Sequence, residues 1–161
     1  MLRLGRVVVV VAVAAAFAGS ARAQEAGLRP AGENADSAIR AVQAQMRRAA
    51  ERLDAAALYA YVLDSAVPPI IENGRLAGTR AAALARTAQG FAGLTALSYT
   101  YTRADITLLS PTSALWVGEG TATATLPDGR QVGGPFAETV VFVRRAGEWK
   151  VLHAHRSTPN R

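Results

Sequence analysis

Between residue 33 and residue 95, apolar positions recur every three to four residues, which is the spacing of amphipathic helices. A side-chain oxygen can cap the start of each helix, from Asn34 or Asp36 for the first, from Asp54 for the second and from Thr79 for the third. A short apolar run at 70–75 leads into an Asn-Gly turn and predicts one strand. The spacing predicts three helices, at 33–52, at 55 to about 63, and at 80 to about 89.

From residue 97 the apolar and polar positions alternate instead, which is the pattern of half-buried strands. Turn residues separate the strands, and Asp128-Gly129 between two alternating runs is the strongest hairpin signal of the chain. Helices followed by an antiparallel meander predict an α+β domain with the helices packed on one face of the sheet. The predicted strands are 97–109, 114–126, 132–145 and 149–156.

The N-terminus has the order of a secretory signal peptide. Two arginines precede an apolar run at 7–18, and Ala21-Arg22-Ala23 follows as a cleavage site. The run is shorter than the roughly 20 residues that span a bilayer. We therefore predict a signal peptide at 1–23, cleaved after Ala23, a flexible lead at 24–32, and a periplasmic or secreted domain at 33–158.

Cleavage changes the charge of the chain and narrows its partners. The precursor has 18 basic and 12 acidic residues, and the loss of three arginines leaves a mature net charge of +3. No basic stripe with interleaved aromatic residues occurs, so we expect no nucleic-acid partner, and no membrane contact after cleavage. Without any cysteine, stability must come from a hydrophobic core.

Candidate site residues follow from the hairpins. If Asp128-Gly129 and Ala146-Gly147 are two-residue turns, Glu119 lies opposite Glu138, and Glu138 lies opposite His155. Alternation then gathers Glu119, Glu138, His153 and His155 on one face, beside a floor of apolar side chains. This is the composition of a half-closed pocket under the helices.

Two further expectations concern the sheet. Gly133-Gly134-Pro135 predicts a β-bulge, and one extra residue there would exchange the faces of the later positions. The other face carries small residues together with Trp116, Val141, Val143 and Leu152. A flat apolar patch of that kind predicts a homodimer through the outer sheet face.

The closing strand resembles a known family. Trp149-Lys150-Val151-Leu152-His153-Ala154-His155-Arg156-Ser157 has the form W-x-V-x-H-x-H-x-S and follows a Thr139–Arg145 strand, with a helix pair around Leu53–Tyr59 upstream. Together these resemble the SnoaL-like branch of the nuclear transport factor 2-like superfamily, over about 33–158.

The resemblance implies a cone in which a strongly curved antiparallel sheet wraps three helices around a pocket, often with dimerisation through the outer sheet face. It also implies that the second helix ends at the mouth of the cone, which adds Tyr61 and Asp64 to the candidates. Members of the family include isomerases, polyketide cyclases, epoxide hydrolases and carrier-like proteins, so the fold leaves the activity open. Asp64–Pro69 replaces the acidic pair that is common after the second helix, which weakens any transfer of a catalytic acid.

Three functions therefore stay open for this sequence. The first is binding of a small apolar or amphipathic ligand, the second is acid–base catalysis by pocket carboxylates and histidine, and the third is a structural dimerisation module. The histidines and carboxylates have donor atoms suited to a divalent metal, but no metal or cofactor motif is present, and we expect neither. The candidate ligand-binding residues are His153, His155, Glu138, Glu119, Tyr61 and Asp64. The face occupied by Tyr99 and Tyr101 is not determined by the sequence.

Overall fold

The computed structural model describes residues 17–72 and 74–159. Helices and short strands come first and a meander of four long strands follows, which confirms the predicted α+β class. In chain order the elements are α1 (Phe17–Glu51), α2 (Ala55–Tyr59), β1 (Ile70–Glu72), β2 (Arg75–Ala77), α3 (Arg80–Ala92), β3 (Ala96–Ser110), β4 (Ser113–Thr125), β5 (Gln131–Arg145) and β6 (Glu148–Ser157).

Two of the three predicted helix caps are present, whereas α1 continues through Asn34 and Asp36, so neither of these residues begins a helix. The Asp54 carboxylate accepts a hydrogen bond from the Ala57 amide at 2.9 Å, and the Thr79 hydroxyl accepts one from the Ala82 amide at 3.1 Å. Helix α2 ends earlier than predicted, at Tyr59, where the Arg80 guanidinium donates to the Tyr59 carbonyl at 2.6 Å. A side chain from α3 thus satisfies a carbonyl that a longer helix would have used.

The N-terminal predictions meet the structure only in part. Helix α1 begins at Phe17, so the backbone of 24–32 is helical where the sequence predicts a flexible lead. The basic segment and most of the apolar run of the predicted signal peptide lie outside the described residues. Among the helices that the structure describes, none is long and apolar enough to cross a membrane.

The six strands form one curved mixed sheet in the order β2-β1-β6-β5-β4-β3. The meander is antiparallel, as predicted, whereas β1 pairs in parallel with β6, Ile70 lying opposite Ala154. The core lies between the helices and the concave face of the sheet, where Ile39, Phe142 and Val151 are completely buried. The opposite, convex face is called the outer face below.

The predicted register between β4 and β5 is wrong by one residue. The connecting loop holds Pro127, Asp128 and Gly129, because the Leu126 amide donates to the Arg130 carbonyl and the Gly129 amide donates to the Leu126 carbonyl, each at 2.9 Å. Gly129 has φ +83°, as the left-handed position of a three-residue hairpin requires. Glu119 therefore lies opposite Ala137, not opposite Glu138.

The turn between β5 and β6 has two residues, as predicted, with φ 50° at Ala146 and 85° at Gly147. Beyond it, however, Phe142 pairs with Val151 and Val141 pairs with His153, so Leu152 is an extra residue on β6. This β-bulge exchanges the faces of all later β6 positions.

As a result Glu138 lies opposite Arg156, not opposite His155. The bulge expected at Gly133-Gly134-Pro135 is absent, because the pairing of β4 with β5 continues through these residues without a shift.

The two differences move side chains between the faces of the sheet. Trp116 points toward the helices and is 4% exposed, so it does not belong to the predicted dimer face. Glu119, His153 and His155 lie on the outer face, whereas Glu138 points toward the helices as predicted. A one-residue slip has this effect because successive side chains of a strand alternate.

Candidate functional site

A cavity of about 480 Å³ lies between the concave face of the sheet and the three helices. Its volume is within the range of small-molecule sites, and its lining is mainly apolar. The apolar side chains come from every layer of the fold, among them Met46, Leu58, Val62, Phe91, Leu97 and Val140.

Glu138 is the buried charge of this cavity, with only 7% of the residue exposed. Its Oε1 accepts a hydrogen bond from the Tyr101 hydroxyl at 2.6 Å and a longer one from Gln43 Nε2 at 3.4 Å. Its Oε2 accepts from Nη2 of Arg156 at 2.7 Å and from Nε at 3.2 Å. Both carboxylate oxygens are thus fully engaged, as a buried carboxylate requires.

Arg156 links Glu138 to an aromatic wall, which consists of Tyr99, Tyr101 and Phe136. Its Nη1 donates to the Tyr99 hydroxyl at 3.1 Å, and its guanidinium lies 5.0 Å from the Tyr99 ring centre and 4.8 Å from the Phe136 ring centre. Tyr101 packs edge-on against Phe136 at 5.4 Å. These contacts hold each polar group from two directions, which fixes the geometry of the site.

We call Gln43, Tyr99, Tyr101, Glu138 and Arg156 the polar cluster. Burial and the neighbouring Glu138 carboxylate raise the pKa of Tyr101 far above its usual value. Burial by itself would lower the pKa of Arg156, but the Glu138 carboxylate, together with Tyr99 and Tyr101, raises it above its usual value. At neutral pH the cluster therefore contains a protonated phenol and a charged guanidinium.

A second polar contact lies on the helix side of the cavity. The hydroxyls of Tyr59 in α2 and Thr87 in α3 are 3.0 Å apart, and burial raises the pKa of Tyr59. Exposed charges surround this region of the lining, from Arg47, Arg86 and Glu72. The cavity thus has an apolar body with hydrogen-bonding groups on the sheet side and on the helix side.

Of the residues predicted from the sequence, the structure places Glu138 in the cavity lining. Glu119 is exposed on the outer face, one register step away. His153 donates from Nδ1 to the Pro68 carbonyl at 2.8 Å, and His155 is exposed. Because the bulge at Leu152 turns both histidines outward, the predicted cluster of two carboxylates and two imidazoles does not assemble.

Tyr61 and Asp64 also lie outside the cavity lining. The Tyr61 ring lies 5.9 Å from the Lys150 ammonium, and Asp64 is exposed. The segment after α2 runs along β6, where the Tyr61 carbonyl accepts a hydrogen bond from the Val151 amide at 2.8 Å. The described residues contain no group of three or more histidine or acidic side chains arranged to hold a metal ion.

The sequence interpretation missed four members of the polar cluster. Gln43 stands in the apolar stripe of α1, and a polar residue at a core position is a signal for a buried partner. Tyr99 and Tyr101 are two residues apart on β3 and point to the same face of the sheet. A β-bulge after Tyr101 turns the following Arg103 to the outer face. Arg156 had no sequence signal, because only the bulge on β6 brings it inside.

Comparison with solved structures shows the same fold at low sequence identity. A candidate dehydratase of the nuclear transport factor 2-like family from Streptomyces avermitilis superimposes with a TM-score of 0.72 at 19% identity, over 80% of this chain and 99% of that one. A superfamily protein from Salmonella enterica gives 0.71 at 12% identity, over 81% and 94%. The hexachlorocyclohexane dehydrochlorinase LinA-type3 from Novosphingobium barchaimii gives 0.68 at 14% identity, over 80% and 88%.

At these identities the likeness shows the fold alone. No functionally curated protein matches the sequence significantly. A family model described as the SnoaL-like domain matches residues 39–161, which is most of the chain. The chain therefore belongs to the SnoaL-like family and has the nuclear transport factor 2-like fold.

Proposed function

We propose that this protein binds one small, largely apolar molecule that carries a polar group. The binding site is the cavity whose lining includes Glu138 and Arg156. The supporting observation is a fixed polar cluster at one side of a mainly apolar cavity. An apolar enclosure provides affinity through burial, and a few convergent polar groups orient the ligand.

Elimination, the kind of reaction named for two of the structural neighbours, fits the geometry less well. A base would have to accept a proton in the cavity, and Glu138 already accepts four hydrogen bonds from three side chains. Both histidines lie on the outer face, so neither can take its place. Binding requires no rearrangement of the cluster, whereas proton abstraction would require breaking it.

A purely structural module is also less well supported. Such a module gains nothing from leaving about 480 Å³ unfilled, because cavities in a core reduce stability. A retained cavity with a buried ion pair on its wall is more economically explained by a ligand.

We further propose that the mature protein is exported, because a basic segment, an apolar run and Ala21-Arg22-Ala23 follow one another as in a signal peptide. Mass spectrometry of the exported protein should find Gln24 at its N-terminus. An intact Met1 on the mature protein would contradict this.

We also propose a homodimer through the outer face. Leu115 lies opposite Val141 there, and Val117, next along the same face of β4, is 44% exposed. The substitution Val117→Glu should convert a dimer to a monomer in light scattering. A wild-type monomer at high micromolar concentration would contradict the proposal.

The binding proposal is tested by melting the protein with a panel of small apolar acids, sterols and polyketide-like compounds. A ligand at a hundred times its dissociation constant stabilises by about 2.7 kcal/mol, or roughly 5–10 °C. Ala154→Leu, which adds volume to the lining, should abolish the shift, while Ala137→Leu on the exposed face should retain it. A shift that is equal in both variants would place the ligand elsewhere.

A further inference from the structure

We propose that the polar cluster recognises its ligand through a neutral carbonyl oxygen that accepts hydrogen bonds from Tyr99 and Arg156. The inference rests on the proposed binding function and specifies the chemical class of the ligand. It follows from counting which protons and lone pairs of the cluster are already used.

The Glu138 carboxylate has no capacity left for a ligand. An ionised carboxylate offers about four acceptor positions and no donor. Tyr101 and Gln43 use Oε1, while Nε and Nη2 of Arg156 use Oε2. A ligand hydroxyl or amine that needs an acceptor would therefore have to displace one of these donors.

The donors that remain come from Tyr99 and Arg156. The Tyr101 proton is committed to Glu138 at 2.6 Å. The Tyr99 oxygen accepts from Arg156, and its own proton has no acceptor among the side chains and carbonyls of the described residues. A guanidinium has five N–H groups. Arg156 donates three of them within the cluster, which leaves two.

The charges of the cluster favour a neutral acceptor. Arg156 and Glu138 compensate each other at 2.7 Å, so the cluster carries no net charge. A ligand carboxylate beside Arg156 would also lie near the Glu138 carboxylate, and two anions in a poorly hydrated site repel each other. A ketone, ester, amide or quinone oxygen accepts the same hydrogen bonds without adding a charge.

The test compares three naphthalenes that differ in the substituent at carbon 2, by fluorescence titration of the mature chain. They are 2-acetylnaphthalene, 2-ethylnaphthalene, which lacks the carbonyl, and 2-naphthoate. The ketone should bind about three to ten times more tightly than the hydrocarbon, the gain expected from a hydrogen bond to an otherwise unused donor.

A variant assigns that preference to the cluster. Tyr99→Phe should reduce the ratio of ketone to hydrocarbon affinity by about threefold. Tyr61→Phe removes a tyrosine hydroxyl that lies outside the cavity lining and should leave the ratio unchanged. The wild-type comparison does not depend on how well either variant folds.

Equal binding of ketone and hydrocarbon would overturn the carbonyl assignment and leave the proposed binding function intact. Tighter binding of 2-naphthoate than of the ketone would overturn the neutral acceptor in favour of an anion. Failure of all three compounds to bind would count against the proposed function itself.

Discussion

Glu138 on β5 and Arg156 on β6 are cross-strand partners, and their side chains form an ion pair at 2.7 Å in the lining of the cavity. The Glu138 side chain is 6% exposed and the Arg156 side chain 26% exposed. A pair that is this far removed from water is costly to break, because the remaining charge loses its partner without regaining full hydration.

Glu138→Gln should therefore destabilise the fold. We expect a loss of about 2–4 kcal/mol in the free energy of unfolding, because Arg156 is left charged and partly buried. Glu119 is an exposed residue on the neighbouring strand β4, and Glu119→Gln should change the free energy of unfolding by less than about 0.5 kcal/mol. Urea unfolding of both variants measures this. Equal effects of the two substitutions would show that the ion pair does not contribute to stability.

Gly118 makes room for the aromatic wall. A Cβ at this position would lie 2.7 Å from Nε1 of Trp116 and 3.1 Å from Cε1 of Tyr101. Gly118→Ala should therefore cost about 1–3 kcal/mol. Gly90→Ala in α3 meets no atom within 4 Å and should stabilise the helix by about 0.5–1 kcal/mol. Thermal melting should move in opposite directions for the two variants, and a stabilised Gly118→Ala would contradict the packing.

Alkaline pH should weaken the fold through its buried phenols. A tyrosine in an unfolded chain loses its proton near pH 10. Burial raises the pKa of Tyr59 and Tyr101, so above that pH the folded chain binds more protons than the unfolded one. The free energy of unfolding should then fall by up to about 1.4 kcal/mol per pH unit for each group.

Urea unfolding between pH 8 and pH 11 tests this expectation. Tyr101→Phe should reduce the slope above pH 10 and leave the slope below pH 9 unchanged. A slope that is the same in the variant and the wild type would show that Tyr101 ionises as readily when folded.

The outward histidines should not affect ligand recognition. His153→Ala removes the hydrogen bond to the Pro68 carbonyl and should cost about 0.5–1.5 kcal/mol of stability. His155→Ala, at an exposed position, should stay within about 0.5 kcal/mol. Affinity for 2-acetylnaphthalene should be unchanged in both variants. A tenfold loss of this affinity in either variant would show that the histidine contributes to the binding site.

Element order and helix caps were predictable because Asp54, Thr79 and the change of periodicity at residue 97 act locally. The composition of the site was not, because it depends on the register. Pro127 belongs to a loop that is one residue longer than predicted, and Leu152 forms a bulge on β6. Each of these changes moved the side chains that alternate along a strand to the opposite face of the sheet. Glu138 was placed correctly because β5 kept its predicted orientation, while Arg156 became visible only in the structure.

The most direct test of the proposed site is a heteronuclear NMR titration of the mature chain with 2-acetylnaphthalene. The account predicts that the largest changes in chemical shift occur at cavity residues such as Tyr99, Val140, Ala154 and Arg156. The signals of His155 and Glu119, on the outer face, should not shift. Saturable changes confined to the outer face would contradict the account.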